Sequence, residues 1–140
     1  MNKIEINNLS GFEIDKKKVR EILNLILKSR DLSEKEISLA FLKKDEIREL
    51  NRRCRGIDKA TDVLSFEGEN NFLGEAVISP EIVAGRKKEG ESFYFALTHI
   101  LSHSVLHLTG FDHKNKKERI FMRSEENKIL EKIKNKVNKL

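Results

Sequence analysis

The chain has 140 residues, of which 38% are hydrophobic and 36% charged, a balance typical of one folded domain spanning residues 1–140. The single cysteine, Cys54, excludes an intramolecular disulfide and gives no reason to expect a disulfide-linked partner. No apolar run approaches the roughly 20 residues needed to span a bilayer, and the N-terminal residues lack the apolar core of a signal peptide. We therefore expect a cytoplasmic protein without a membrane partner.

The net charge of +5 is concentrated near one end of the chain. The segment 114–140 contains ten Lys/Arg and four Asp/Glu, whereas the remaining residues contain 18 basic and 19 acidic side chains. A second basic cluster is Arg52-Arg53-Cys54-Arg55. A lysine-rich helix often presents nothing more than a solvated face, but a basic surface also favours a polyanionic partner such as nucleic acid.

The apolar pattern predicts four strands and about five helices. Period-two alternation or short apolar runs predict strands at residues 3–7, 37–42, 61–66 and 75–79. Helical spacing, capping residues and a proline predict helices beginning near Asp15, Asp45 and Pro80, and further helices at 93–108 and 116–137. This order predicts an α+β (mixed α/β) domain, with a four-stranded mixed sheet flanked by about five helices.

Three of the four histidines lie within eleven residues, at spacings of four and six. His103 and His107 are one helical turn apart and should project from the same face. Gly110 can end the helix in a left-handed conformation, so that His113 turns back toward the pair. Three imidazoles are typical of a catalytic zinc site, in which the fourth tetrahedral position is left to water. We expect one Zn²⁺ per chain, although other divalent metals also suit imidazole ligands.

This spacing matches the metzincin pattern H-E-x-x-H-x-x-G-x-x-H, and it predicts a metzincin-like active-site helix. The position after the first histidine, where metzincin proteases have a general-base glutamate, is Ser104. A serine cannot accept a proton as a carboxylate does. The site is therefore expected to resemble a metzincin in geometry and to differ from a protease in chemistry.

Three blocks resemble the bacterial YbeY family. The histidine block is similar to H-G-x-L-H-L-x-G-Y-D-H, residues 50–66 are similar to L-N-x-x-Y-R-G-x-D-K-P-T-D-V-L-S-F, and residues 73–79 are similar to L-G-D-I-x-I-S. The blocks occur in the family's order and cover most of the chain. Departures from these patterns include Cys54, Ala60, Glu75, Ser104 and Phe111.

The resemblance implies a zinc-dependent, single-strand-specific endoribonuclease that acts in 16S rRNA 3′-end maturation and ribosome quality control. The implied partners are single-stranded RNA, especially rRNA, and the ribosome or ribosomal proteins.

Arg55 is the candidate for binding the scissile phosphate, because its planar guanidinium matches two phosphate oxygens; a surface arginine without a function is the alternative. His99, one turn before His103, could contact the substrate or support a ligand, but a core histidine is equally consistent with the sequence. Asp112 could orient a histidine ring or simply form a turn.

Two other functions remain compatible with the sequence. One is a metal-dependent hydrolase of another substrate class, such as a peptide or a small molecule. The other is a non-catalytic ribosome-binding module in which zinc only stabilises the fold.

Overall fold

All nine predicted elements are present in the computed structural model, which describes residues 1–140. In chain order they are β1 (Lys3–Asn8), α1 (Lys16–Ser29), β2 (Glu36–Phe41), α2 (Lys44–Arg55), β3 (Val63–Glu67), β4 (Phe72–Ile78), α3 (Pro80–Arg86), α4 (Phe93–Leu108) and α5 (Lys116–Asn138). The α+β class with a four-stranded mixed sheet is confirmed. β4 begins three residues before its predicted start, which shortens the loop between β3 and β4.

The sheet order is β1-β2-β4-β3. β1 pairs with β2 and β2 with β4 in parallel, whereas β3 and β4 form an antiparallel hairpin. Parallel neighbours need a crossover connection, and α1 supplies the one between β1 and β2. β3 is consequently an edge strand, and it lies on the side of the sheet where α4 packs.

Gly74 permits a close approach between β4 and the end of α4. Its φ is 136°, and a Cβ there would lie 2.2 Å from the carbonyl oxygen of Phe66 and 2.8 Å from the side chain of Leu108. The pairing of β2 with β4 also shifts register next to this glycine, between Glu36 and Ile37. Only glycine fits here, and its small size brings the last turn of α4 against the β3–β4 hairpin.

The helix that carries the histidines is mostly buried, as its apolar composition predicts. α4 packs against α1, α3, α5, β3 and β4. Leu97, Leu101 and Val105 are fully buried in the main apolar core. Burial of this kind holds the helix backbone rigidly, so the polar side chains at its open edge have defined positions. No helix combines the length and the apolar character needed to cross a bilayer.

Candidate active site

The end of α4 and the loop after it bring three imidazoles close together. His103 and His107 lie one turn apart on the helix. Gly110 has a φ of 106°, in the left-handed region, and the chain turns back there over the end of the helix. The ring centroid of His113 then lies 5.6 Å from that of His103 and 6.1 Å from that of His107. The structure therefore groups the three histidines that the sequence singled out.

A buried carboxylate from α5, Glu126, joins this group. Its Oε2 accepts a hydrogen bond from Nδ1 of His103 at 2.8 Å, and its Oε1 accepts one from Nε2 of His99 at 3.0 Å. Glu126 is only 8% exposed. Since an ionised carboxylate has acceptors alone, both rings present N–H to it, and in the neutral form of His103 the Nε2 then carries the lone pair.

The sequence analysis missed Glu126, although the sequence carried a signal for it. The residue interrupts the buried apolar stripe of α5, whose members are Met122, Ile129, Ile133 and Val137. A charged residue in such a stripe needs a partner, because burying an unpaired carboxylate costs several kcal/mol. The pattern reveals the need for a partner, but not that two histidines of α4 provide it.

The environment favours an ionised Glu126 and a neutral His107. Burial alone would raise the pKa of Glu126, but the hydrogen bonds from His103 and His99, together with their charges, lower it to about 2. Burial lowers the pKa of His107, and the neighbouring charges of His103 and His113 lower it further. A neutral imidazole is the form that binds a metal ion.

His99 lies at the edge of the group and not in the core. Its side chain is 52% exposed. Glu126 bonds to both His99 and His103, so the three side chains form one hydrogen-bonded network. Asp112 accepts a hydrogen bond from the backbone N–H of His113 at 2.7 Å, and this bond lowers the pKa of its carboxyl group. The hydrogen bond of Asp112 is therefore to the backbone of His113 and not to its ring.

Arg55 reaches the same region from α2. It is the last residue of that helix, and Gly56 ends the helix in a left-handed conformation. Its Nη2 donates to the carbonyl oxygen of Ser65 on β3 at 3.1 Å. The guanidinium carbon Cζ lies over the ring of Phe66, 5.9 Å from the ring centroid. Arg55 remains exposed, and its charge is close enough to contribute to the lowered pKa of His107. The free guanidinium nitrogens are available to an anion beside the imidazoles.

The donor set suits a metal ion, but the side chains are not gathered around one. No group of three or more His, Cys, Asp or Glu side chains is arranged so that it could hold an ion. The chemistry of the donors fits zinc nonetheless, since Glu126 leaves Nε2 of His103 free and His107 is favoured in its neutral form. A carboxylate that holds a ligating histidine by its other ring nitrogen is a frequent partner in zinc sites.

The candidate site is partly open to solvent, with the side chains of His99 and His103 52% and 32% exposed. The largest cavity, of about 770 Å³, is between α2 and α3 and includes none of the predicted site residues.

Comparison with known proteins identifies the family. Residues 3–134 match the family model described as endoribonuclease YbeY. The chain belongs to the YbeY family.

Curated YbeY relatives cover nearly the same length. An endoribonuclease YbeY from Clostridium perfringens is 33% identical, over 91% of this chain and 94% of the relative. Another from Caldanaerobacter subterraneus is 37% identical, over 82% of this chain and 84% of the relative. The solution structure of a Thermotoga maritima protein shares the fold, with a TM-score of 0.62 at 23% identity, covering 97% of this chain and 93% of that one.

Ser104 stands where the YbeY pattern usually has glycine, and the structure places it away from the imidazoles. It is 1% exposed, and its Oγ lies 3.3 Å from Oγ of Ser65 on β3. The side chain therefore faces the sheet and leaves the open side of His103 unobstructed. Ser65 contacts both Ser104 and Arg55, so that β3 links α2 to the helix that carries the histidines.

Proposed function

We propose that this chain is a zinc-dependent endoribonuclease that cleaves single-stranded RNA. The observation that carries the proposal is the group of His103, His107 and His113 with Glu126 behind it and Arg55 beside it, in a chain of the YbeY family. The curated relatives named endoribonuclease YbeY support RNA as the substrate. The basic segment 114–140 supports a polyanionic substrate of that kind.

His103, His107 and His113 would hold the zinc ion. The chemistry supplied by a bound zinc is Lewis acidity, which polarises a phosphoryl oxygen and makes hydroxide available near neutral pH. Glu126 holds the ring of His103 by Nδ1, so that Nε2 is the donor atom presented. His113 is exposed on its loop, and this gives its ring freedom to complete the ligand set.

Arg55 binds and orients the scissile phosphate. The guanidinium has five N–H donors, of which the structure uses one on Ser65, and the remainder form a fork that matches phosphate oxygens. The contact with Ser65 fixes the direction of the side chain before substrate arrives. Positioning of this kind lowers the entropic cost of reaching the reactive geometry.

His99 is the candidate for a proton-carrying or substrate-contacting group. Its ring is half exposed, and its Nε2–H is held by Glu126. The residue directly after His103 is Ser104 and not a glutamate, so a general base must come from elsewhere, the substrate's own phosphate included. A phosphodiester already carries negative charge, which makes this arrangement more suitable for RNA than for an amide.

In the cell, we assign this activity to 16S rRNA 3′-end maturation and ribosome quality control in the cytoplasm. The basic α5 would contact rRNA on the ribosome, and ribosomal proteins would be neighbouring partners. Support for this assignment comes from the family resemblance and from the positive charge of 114–140.

The test combines metal analysis with RNA cleavage by the full-length protein. We expect one zinc per chain and metal-dependent cleavage of single-stranded RNA by the wild type. His107→Ala should lose both zinc and cleavage, whereas Arg55→Glu should retain zinc and lose cleavage. A zinc-loaded wild type that cleaves no RNA, but hydrolyses a peptide library, would contradict the proposal. Ribosome association without any cleavage would instead support the non-catalytic module.

A further inference from the structure

Phe121 is a large apolar side chain left in water beside the candidate site. It is 56% exposed on the second turn of α5. Its ring stacks on that of Phe111, with centroids 5.6 Å apart and an interplanar angle of 30°. Phe111 lies two residues before His113, so the aromatic pair borders the imidazole group. We call Phe111 and Phe121 the aromatic pair.

The aromatic pair contacts Arg30 and also lines a cavity. The guanidinium of Arg30 lies 5.4 Å from the centroid of the Phe111 ring and also pairs with Glu125 at 3.2 Å. The pair lines a cavity of about 290 Å³ together with Thr109, Gly110, Asp112 and Glu118. This space suits a small planar group lying against the ring of Phe121.

The surface around the aromatic pair is basic. Residues 111–123 contain five cations and two carboxylates. Both carboxylates have partners, since Asp112 lies 3.6 Å from Lys114 and Glu118 accepts from Asn115 at 2.7 Å. The four other cations are exposed and make no ion pair; they are Lys116, Lys117, Arg119 and Arg123.

Two of these cations share a helix face with Glu126. Arg119 and Arg123 precede Glu126 by seven and three residues, so they lie on the same side of α5 as the carboxylate that contacts His103. Phe121 lies two residues from each of them and so on the opposite side of α5, which it shares with Lys117, four residues before it. Exposed rings combined with unpaired cations are the features that bind single-stranded nucleic acid.

We propose that Phe121, backed by Phe111, is a stacking platform for one unpaired base of an RNA strand. The exposed, unpaired cations around it, with Lys117 on the same face of α5, hold neighbouring phosphates of that strand. The proposal rests on the proposed function and explains its strand preference. A base within a duplex is already stacked on its neighbours, whereas an unpaired base is free to stack on an aromatic ring.

The platform is tested by binding a short single-stranded oligoribonucleotide that contains 2-aminopurine, a base whose fluorescence falls when it stacks. Full-length protein is measured with zinc and again with EDTA, so that binding is observed apart from cleavage. We expect wild-type protein to quench the fluorescence. Phe121→Ala should remove the quenching and weaken binding about tenfold, because one base–aromatic stack is worth about 1–3 kcal/mol. Phe121→Trp should retain both.

Ile120 offers a matched control. It is the neighbour of Phe121 and is 60% exposed, but it has no aromatic ring. Ile120→Ala should leave quenching and affinity unchanged. Equal weakening by Ile120→Ala and Phe121→Ala would overturn the platform, as would equal quenching of the same base in a duplex. A wild-type dimer that Phe121→Ala dissociates without changing RNA binding would assign the surface to a second copy of the chain.

The two proposals fail separately. Quenching by a wild type that never cleaves RNA would refute the nuclease and leave the platform standing. Metal-dependent cleavage with unchanged RNA binding by Phe121→Ala would refute the platform and leave the nuclease standing. Wild-type protein that binds no single-stranded RNA would refute the platform directly.

Discussion

Glu126 on α5 accepts a hydrogen bond from Nδ1 of His103 on α4, across 2.8 Å and 23 residues of sequence. The contact determines which nitrogen of neutral His103 remains free, and it ties the proposed metal-binding role of α4 to the position of α5. Because Glu126 also holds His99, a single carboxylate orients two of the chain's four histidines.

Glu126→Gln should weaken zinc binding about 10–100-fold, because an amide is a poorer acceptor for the Nδ1–H of a ligating histidine. Competition with a chromophoric zinc chelator measures the change. Glu131→Gln is the matched control, since Glu131 lies on the same helix with a 76% exposed side chain. Equal zinc affinities for the wild type and Glu126→Gln would show that the carboxylate does not support the metal site.

Arg55→Lys should lower kcat/KM for RNA cleavage about tenfold or more and leave the zinc content unchanged. Lysine keeps the charge but cannot form the two parallel hydrogen bonds of a guanidinium with phosphate, each charge-assisted bond being worth about 1.5–3 kcal/mol. Arg53→Lys, two residues earlier on α2, should behave as wild type, because Arg53 lies beside Glu49 and not beside Ser65. Equal losses of kcat/KM in both variants would show that Arg55 does not bind the phosphate in a specific geometry.

Gly74→Ala should lower the free energy of unfolding by about 2–4 kcal/mol, measured by urea denaturation. The added Cβ would meet the carbonyl oxygen of Phe66 and the side chain of Leu108, and the backbone has a positive φ. Gly85→Ala is the control, since nothing lies within 4 Å of its added Cβ and its φ is not in the left-handed region. That variant should be neutral or more stable by up to about 1 kcal/mol.

Ser104→Ala should lower the free energy of unfolding by about 0.5–1.5 kcal/mol through loss of the buried hydrogen bond with Ser65. Zinc affinity and RNA cleavage should stay at wild-type levels, because the side chain faces β3. A large loss of cleavage with intact zinc binding would give the hydroxyl a role in the reaction that its position in the fold does not indicate.

Chelation of zinc should lower the thermal midpoint of the wild type. A ligand that binds only the folded chain stabilises it by about 4 kcal/mol at a thousandfold excess over its Kd. His107→Ala should show a midpoint that no longer depends on added zinc. Scanning calorimetry with and without chelator measures both, and an unchanged wild-type midpoint would count against a zinc site.

Local patterns predicted the elements well because the relevant interactions are close in sequence. Asp15 caps α1 by accepting from the backbone N–H of Lys18, three residues away, and the buried residues of that helix follow its apolar spacing. Boundaries were less accurate at strand ends, because pairing with a neighbouring strand sets them. Asp62 accepts from the backbone N–H of Ser79 just before β3 begins, and Phe72 pairs with Glu36 ahead of the apolar core of β4.

The sequence patterns did not predict which distant elements contact one another. The strand order β1-β2-β4-β3 depends on how helices cover the sheet, which alternation within a strand does not reveal. The histidine spacing predicted the imidazole group because a helix turn and a glycine position its members locally. Glu126 and Ser65 come from other elements, so only the packing of α5 and β3 against α4 brings them there.

The sheet ends at β3, and this has a consequence for association with other strands. The backbone N–H of Ser79 donates to Asp62, and that of Gly68 donates to Leu73. The even-numbered residues of β3 therefore direct their backbone N–H and C=O groups toward β4, and the odd-numbered ones direct theirs away from it. Ser65 therefore turns its carbonyl outward, where a fifth strand would otherwise add, and Arg55 occupies that place. One side chain therefore caps the open edge of the sheet and blocks edge-to-edge association with another strand at this point.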